Sequence, residues 1–237
     1  MKKGQGEDRN GYKCNLRQVR SKDCQSILPL AQQASGRLCL DVEWLRYHTQ
    51  DDPTCLPETC LVAAREQQIV GFCFGCLRGG HGVIKLFGVA AAHRRAGIAS
   101  AIFEEMEARF YERGASKVVV GGVAPNYFCT GVPVRDTAAV SFLLQRGYET
   151  DRKSRVDMTV DLRAADLDTA DVEAELAGDG ILLRRATDDE IEEVAAFVER
   201  HFSTIWRAEV EASSRFRLPP CSWPSSTAVT SPLPLMT

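Results

Sequence analysis

The amino-acid sequence predicts an α/β fold in which a mixed, mostly antiparallel sheet of short strands is flanked by helices. Three observations predict it. Three strand-like runs follow one another between residues 60 and 89, separated only by turns. The hydrophobic period then changes from two to 3.6 at Gly97. A β-branched run, Lys117-Val118-Val119-Val120, and a second helical stretch follow in alternation.

In chain order, residues 1–13 are polar and predict a disordered N-terminus. Asn15-Leu16-Arg17-Gln18-Val19 alternates as a strand. Ser21 opens a helical stretch with Ile27, Leu28, Leu30 and Ala31 apolar. Val42, Leu45 and Tyr47 mark a second short helix, and Pro53 and Pro57 the loop after it. Residues 60–64 and 68–77 read as strands, and Gly79-Gly80 as a hairpin turn into a third strand ending at Val89. From Gly97 to Arg113, Ala99, Ile102, Phe103, Met106 and Phe110 fall on one helical face, with Glu104, Glu105, Glu112 and Arg113 opposite. Gly114 stops that helix. Asp136 caps a helix running to Arg146, and Gly147 ends it.

Residues 156–162 alternate again and close a first domain over residues 14–163. Residues 164–180 predict a linker helix closed by Gly178 and Gly180. Residues 181–187 and the helical stretch behind them repeat the pattern that opens at residue 15, so residues 181–212 read as a partial second copy. Five of the ten prolines fall in the Ser/Pro-rich residues 213–237, which predict a disordered tail.

A chain of 237 residues with 44% hydrophobic and 26% charged content can bury an ordinary core. A net charge of −3 supplies no bulk basic field, so no nucleic-acid partner is expected. The basic N-terminus leads into polar residues, and nowhere do about 18 apolar residues run together. These features predict neither a signal peptide nor a membrane partner, and a cytoplasmic location. The nine cysteines, an odd number, then read as reduced thiols. Cys73 and Cys76 have CxxC spacing but sit in a strand, where a spacing of three sends side chains to opposite faces. They read as core thiols, and no metal is expected.

The informative unit is a strand ending at Val89, a short turn, and Arg94-Arg95-Ala96-Gly97-Ile98-Ala99-Ser100 opening a helix. The first N–H groups of a helix lack intrahelical partners, and the helix dipole adds partial positive charge there. Gly97 and Ala99 let a ligand approach the backbone, and the arginines add full charges. Such an end suits a pyrophosphate.

Arg94-x-x-Gly97-x-Ala99 resembles the pyrophosphate motif of the GNAT acetyltransferase superfamily, Q/R-x-x-G-x-G/A. Asp136-Thr-Ala-Ala139-Val140-Ser-Phe142, ending Gln145-Arg146-Gly147-Tyr148, is similar to the family's later helix. The resemblance covers about residues 14 to 163, and the segment from Pro125 to Val132 resembles a tandem subset of the family. It implies a GNAT fold whose sheet splays after the fourth strand. It also implies acetyl-CoA as acyl donor, with pantetheine against Phe87, Gly88 and Val89 and pyrophosphate on the amides of Arg95, Ala96, Gly97, Ile98, Ala99 and Ser100, beside Arg94 and Asp136. The acceptor would be a primary amine of a small molecule or peptide, attacking the thioester directly. The amide near Val89 would steady the oxyanion. A homodimer is left open.

The chain departs from the family where a tyrosine acid is usual, because counting from Ala139 gives Leu143. The fourth strand, where a carboxylate base often sits, carries Lys85. Tyr127 is the first candidate acid, with Asp136, Cys129 and His93 the other polar groups near by. The missing tyrosine keeps a second reading alive, a non-catalytic acyl-CoA-binding module. A nucleotide-binding α/β fold is disfavoured, since antiparallel strands precede the motif and neither GxGxxG nor a P-loop lysine occurs.

Overall fold

Alternating apolar residues on short, β-rich segments produce one sheet whose strands lie side by side in chain order: β1 (Gln5–Glu7), β2 (Lys13–Gln18), β3 (Cys60–Arg65), β4 (Gln68–Arg78), β5 (His81–Val89) and β6 (Val118–Val120). Every neighbouring pair is antiparallel except β5 and β6, which are parallel. The computed structural model describes residues 5–7, 13–35, 40–122, 126, 128–151, 158, 160–161, 163–164, 168–184 and 186–213. These divide into two units, with the break between Glu149 and Thr150, ahead of the domain end expected at residue 163.

In the first unit, β3 and β4 close through a two-residue turn at Glu66 (φ 47°) and Gln67 (φ 70°), and β4 and β5 through Gly79 and Gly80. Both turns use the left-handed backbone that matches the sheet's twist. Within the polar N-terminal stretch, Gln5–Glu7 extend the sheet along β2. Ladder hydrogen bonds need only backbone, so a polar sequence does not forbid an edge strand.

Two helical layers cover the sheet. On one face α1 (Cys24–Ser35) and α2 (Val42–Tyr47) bury Ile27, Ala31 and Leu45 against Val62, Phe72, Phe74 and Leu86. On the other, α3 (Ile98–Glu112) buries Ile102, Phe103, Met106 and Phe110, and α4 (Thr137–Gln145) buries Leu143, against Leu61, Cys73 and Ile84. Phe72, Phe74, Phe103 and Phe110 are at most 1% exposed. Each contributes roughly 1.5–3 kcal/mol by leaving water. Cys73 and Cys76 lie on opposite faces of β4: Cys73 joins the α3 core, while Cys76 hydrogen-bonds Cys55 on the other side.

The contacts between α3 and α4 step forward together, Phe103 to Phe142 (5.0 Å between centroids) and then Glu107 to Arg146 (2.6 Å). The two helices therefore run parallel, and their N-termini lie at one end of the unit.

In the second unit, α5 (Ala170–Gly178), α6 (Ile191–His201) and α7 (Thr204–Ser213) follow. The entry to α6 copies the entry to α1. Arg17 chelates Asp23, which also accepts from the Arg20 amide (2.8 Å). Arg184 chelates Glu190, which also accepts from the Thr187 amide (2.9 Å). In each, the carboxylate at the third position of a 3₁₀ turn reaches back to the amide of the residue before the turn. Of the strand expected over residues 156–162, positions 156, 157, 159 and 162 lie outside the described residues, as do residues 214–237 of the expected tail.

Candidate active site

The site begins with an irregularity in β5. Phe74 pairs with Leu86 and Gly75 with Ile84, so Lys85 is an extra residue with no partner on β4. Its effect follows from counting. The Gly82 amide donates to the Lys117 carbonyl (2.9 Å) and the Ile84 carbonyl accepts from Gly121 (2.8 Å), so both residues face β6. The Ala90 amide donates to the Val70 carbonyl (2.9 Å), so Ala90 faces β4. In a regular strand two even-numbered residues would face the same edge. The bulge at Lys85 reverses the alternation and turns Phe87 and Val89 toward the β6 side. There β6 has already left, since its register with β5 ends at Ile84 opposite Val120. Gly121 (φ 75°) and Gly122 (φ 50°) bend the chain away at that point. The sheet thus splays after the strand ending at Val89, the fourth of the six strands foreseen, as expected, with two backbone edges aimed into the gap.

Beyond Val89, the 3₁₀ turn Ala91–His93 leads to the loop before α3. Arg95 (φ 65°) and Gly97 (φ 76°) are both left-handed, and Gly97 is the N-cap of α3, which starts at Ile98. No side chain caps this end. The first amides of α3 are therefore available to a ligand. Arg94, Arg95 and Gly97 are exposed, Ala96, Ala99 and Ser100 half-buried, and Ile98 is buried against Gly71. Arg94 Nε donates to the Val89 carbonyl (3.0 Å), which ties the loop to the end of β5. Phe87 meets Phe103 of α3 (4.9 Å) and Phe142 of α4 (6.3 Å), so the gap adjoins both helices. Asp136 caps α4 through the Ala139 amide (3.2 Å) at the end where α3 begins.

Among the acid and base candidates, Tyr127 lies outside the described residues. Leu143 is buried in the core under α3 and supplies no proton. The Cys129 carbonyl accepts from Gly122 (2.9 Å), and His93 is half-buried in the turn before Arg94.

Sequence reasoning missed a buried polar cluster on the α1–α2 face. Lys85 Nζ, fully enclosed, donates to Asp52 Oδ2 (2.8 Å) and to the His48 carbonyl, and touches Cys55 Sγ (3.8 Å). Asp52 also takes Arg78, the Thr54 amide (2.9 Å) and hydroxyl (2.6 Å), and Asn126 Nδ2 (3.2 Å). His48 Nδ1 meets the Asn126 carbonyl (3.3 Å), an acceptor only, so Nδ1 carries the proton and Nε2 the lone pair. That buried Nε2 has no hydrogen-bond partner among the described residues. Burial first, and then the Lys85 charge, push the His48 pKa down to about 3. Burial opposes ionisation of Asp52, but the charge and hydrogen bond of Lys85 hold its carboxyl below the usual range. A hydrogen bond with Cys60, helped by burial, pushes the Cys55 thiol up to about 12. The one sequence signal for this cluster is a lysine inside an otherwise apolar strand. Its partners are scattered over a loop with no pattern.

The sequence model of the Acetyltransferase (GNAT) family matches residues 27–129. No curated protein matches the chain. Among solved structures, a GCN5-related glucosamine N-acetyltransferase region of a fungal multi-domain GH3 β-N-acetylglucosaminidase aligns with a TM-score of 0.62 at 20% identity, over 84% of this chain and 24% of that one. A ribosomal-protein-alanine N-acetyltransferase from Brucella melitensis biovar Abortus 2308 aligns with a TM-score of 0.48 at 20% identity, over 62% of this chain and all of that one. The aminoglycoside 6′-N-acetyltransferase AAC(6′)-IG from Acinetobacter haemolyticus gives 0.47 at 14% identity, over 62% and 99% of the two chains. The family match runs from α1 through the bulged strand, the α3 loop and β6 to Cys129, so residues 27–129 of the first unit carry an acetyltransferase (GNAT) family domain.

Proposed function

We propose that the protein is an acetyl-CoA-dependent N-acetyltransferase that moves an acetyl group to a primary amine of a small molecule or peptide by direct attack. The observation that carries this reading is the pairing of the splayed edge at Phe87 and Val89 with the uncapped N-terminus of α3. The residues present fit acetyl-CoA. The Val89 carbonyl is bridged to Arg94, so the loop and the strand end hold each other in register. The amides of residues 95–100 supply donors for a pyrophosphate, and Arg94 and Arg95 supply charge. The amides of Phe87 and Val89 supply strand-like donors for the pantetheine arm. When bound, acetyl-CoA brings the activated acyl group. A backbone amide near Val89 would be the donor that steadies negative charge on the acyl oxygen. The acceptor must arrive as the neutral amine, since an alkylamine of pKa about 10.4 is charged near neutral pH. Cytoplasmic location and action without a metal belong to the same proposal. Among the described residues no helix is long and apolar enough to cross a membrane, and no group of three or more ligating side chains could hold a metal.

Calorimetric titration with acetyl-CoA tests the site. Gly97→Glu would place a carboxylate against the pyrophosphate and force a side chain into a left-handed backbone position. Binding to the native protein and its loss by about 100-fold or more in the variant are expected, at about 1.4 kcal/mol per factor of ten. Unchanged affinity would refute the assignment. The buried Leu143 favours a second reading, a non-catalytic acyl-CoA-binding module. Binding without turnover across a panel of amines would select it.

A further inference from the structure

We infer that Lys85 and Asp52 form a positioning pair that holds the β5 bulge and so aims the amides of Phe87 and Val89 into the gap beside β6. This inference rests on the proposed acetyl-CoA site. A bulge is one residue more than the ladder can pair, and nothing in the ladder itself fixes where it sits. If the extra residue moved past Phe87, Phe87 would turn back toward β4, and the edge offered to a pantetheine arm would be lost. What fixes the bulge at position 85 is the side chain of that residue. Lys85 is drawn to the α1–α2 face, the same face as its neighbour Leu86, and all the partners found for its ammonium lie there. Asp52 is in turn clamped by Arg78, Thr54 and Asn126. The pair therefore connects α2, the loop at residues 52–55, the end of β4 and the residue 126 segment to one point on β5. A lysine that shifted register would leave a charge enclosed without its carboxylate, which burial strongly disfavours. Neither side chain belongs to the α3 loop, so the pair acts on donors and does not touch the pyrophosphate end.

The test separates the two ends of the ligand. Acetyl-CoA uses both the strand edge and the α3 loop, whereas adenosine 3′,5′-bisphosphate lacks the pantetheine arm and reports on the loop end. Lys85→Met removes the ammonium but leaves the Arg78–Asp52 pair intact, so no carboxylate is stranded. The full-length variant is expected to bind acetyl-CoA about tenfold more weakly and the bisphosphate within about twofold of the native protein. Equal loss for both ligands, or no loss for either, would overturn the inference. If Lys85→Met does not fold, Lys85→Gln, which keeps a donor for the His48 carbonyl, must show the same split. A native protein that binds neither ligand would instead overturn the proposed function.

Discussion

His48 is a buried group whose protonation the fold opposes. Its ring is 3% exposed and stacks near Trp44 (4.4 Å) and Phe128 (4.6 Å), and the charges of Lys85, Arg78 and Asp52 face it. In the folded chain it stays neutral down to about pH 3, whereas in the unfolded chain it takes up a proton near pH 6.5. Between those values the unfolded state binds more protons, so stability falls as the pH falls and is fully present above about 6.5. The loss is about 2 kcal/mol at pH 5 relative to pH 7. Urea unfolding at the two pH values measures it. His48→Phe is expected to flatten that dependence, and an unchanged slope in the variant would assign it to other groups.

At the scale of elements, side chains of α3 fill the space over glycines of β4 and β5. A Cβ at Gly82 would lie 2.4 Å from Phe110 Cγ, and one at Gly75 would lie 2.5 Å from Met106 Cε. The Met106 end is flexible. The base of the Phe110 ring is not, because it is fixed by its own backbone. Gly82→Ala should therefore destabilise the first unit by about 1–3 kcal/mol. Gly131→Ala, where an added Cβ meets nothing within 4 Å, should be neutral to within about 0.5 kcal/mol. Thermal unfolding of the two variants decides it, and equal midpoints would show that α3 can lift from the sheet. The matched entries to α1 and α6 belong to this scale too. Arg17 with Asp23 and Arg184 with Glu190 build one local device twice.

For the whole molecule, every element of the proposed acetyl-CoA site lies before Glu149, within the first unit. A chain ending at residue 163 should bind acetyl-CoA within about twofold of the full-length protein, by the same calorimetric titration. A large loss would mean that the second unit contributes to the site. Leu182, Phe197 and Phe202 are exposed in that unit, whereas Ile27 and Ala31 of α1 are fully buried in the first. The same local sequence logic thus has a sheet to cover in one unit and none among the described residues of the other.

The sequence by itself determined the elements that local chemistry dictates. The 3.6-residue stripe of α3, the caps at Asp136, Gly114 and Gly147, the Gly79-Gly80 hairpin and the Arg94 to Ala99 motif all depend on residues close in the chain. Their geometry is set by neighbours, so their pattern is legible there. The tertiary structure alone decided the edge strand at Gln5–Glu7, the bulge at Lys85 and the direction it gives Phe87 and Val89. It also decided the gathering of His48, Asp52, Arg78 and Asn126 around one lysine. An edge strand forms by backbone pairing that ignores side-chain type. A bulge is a mismatch between two strands, which neither strand's sequence contains. Asp52 finds Lys85 across 33 positions, and only the closed sheet brings an unpatterned loop to that carboxylate's partner.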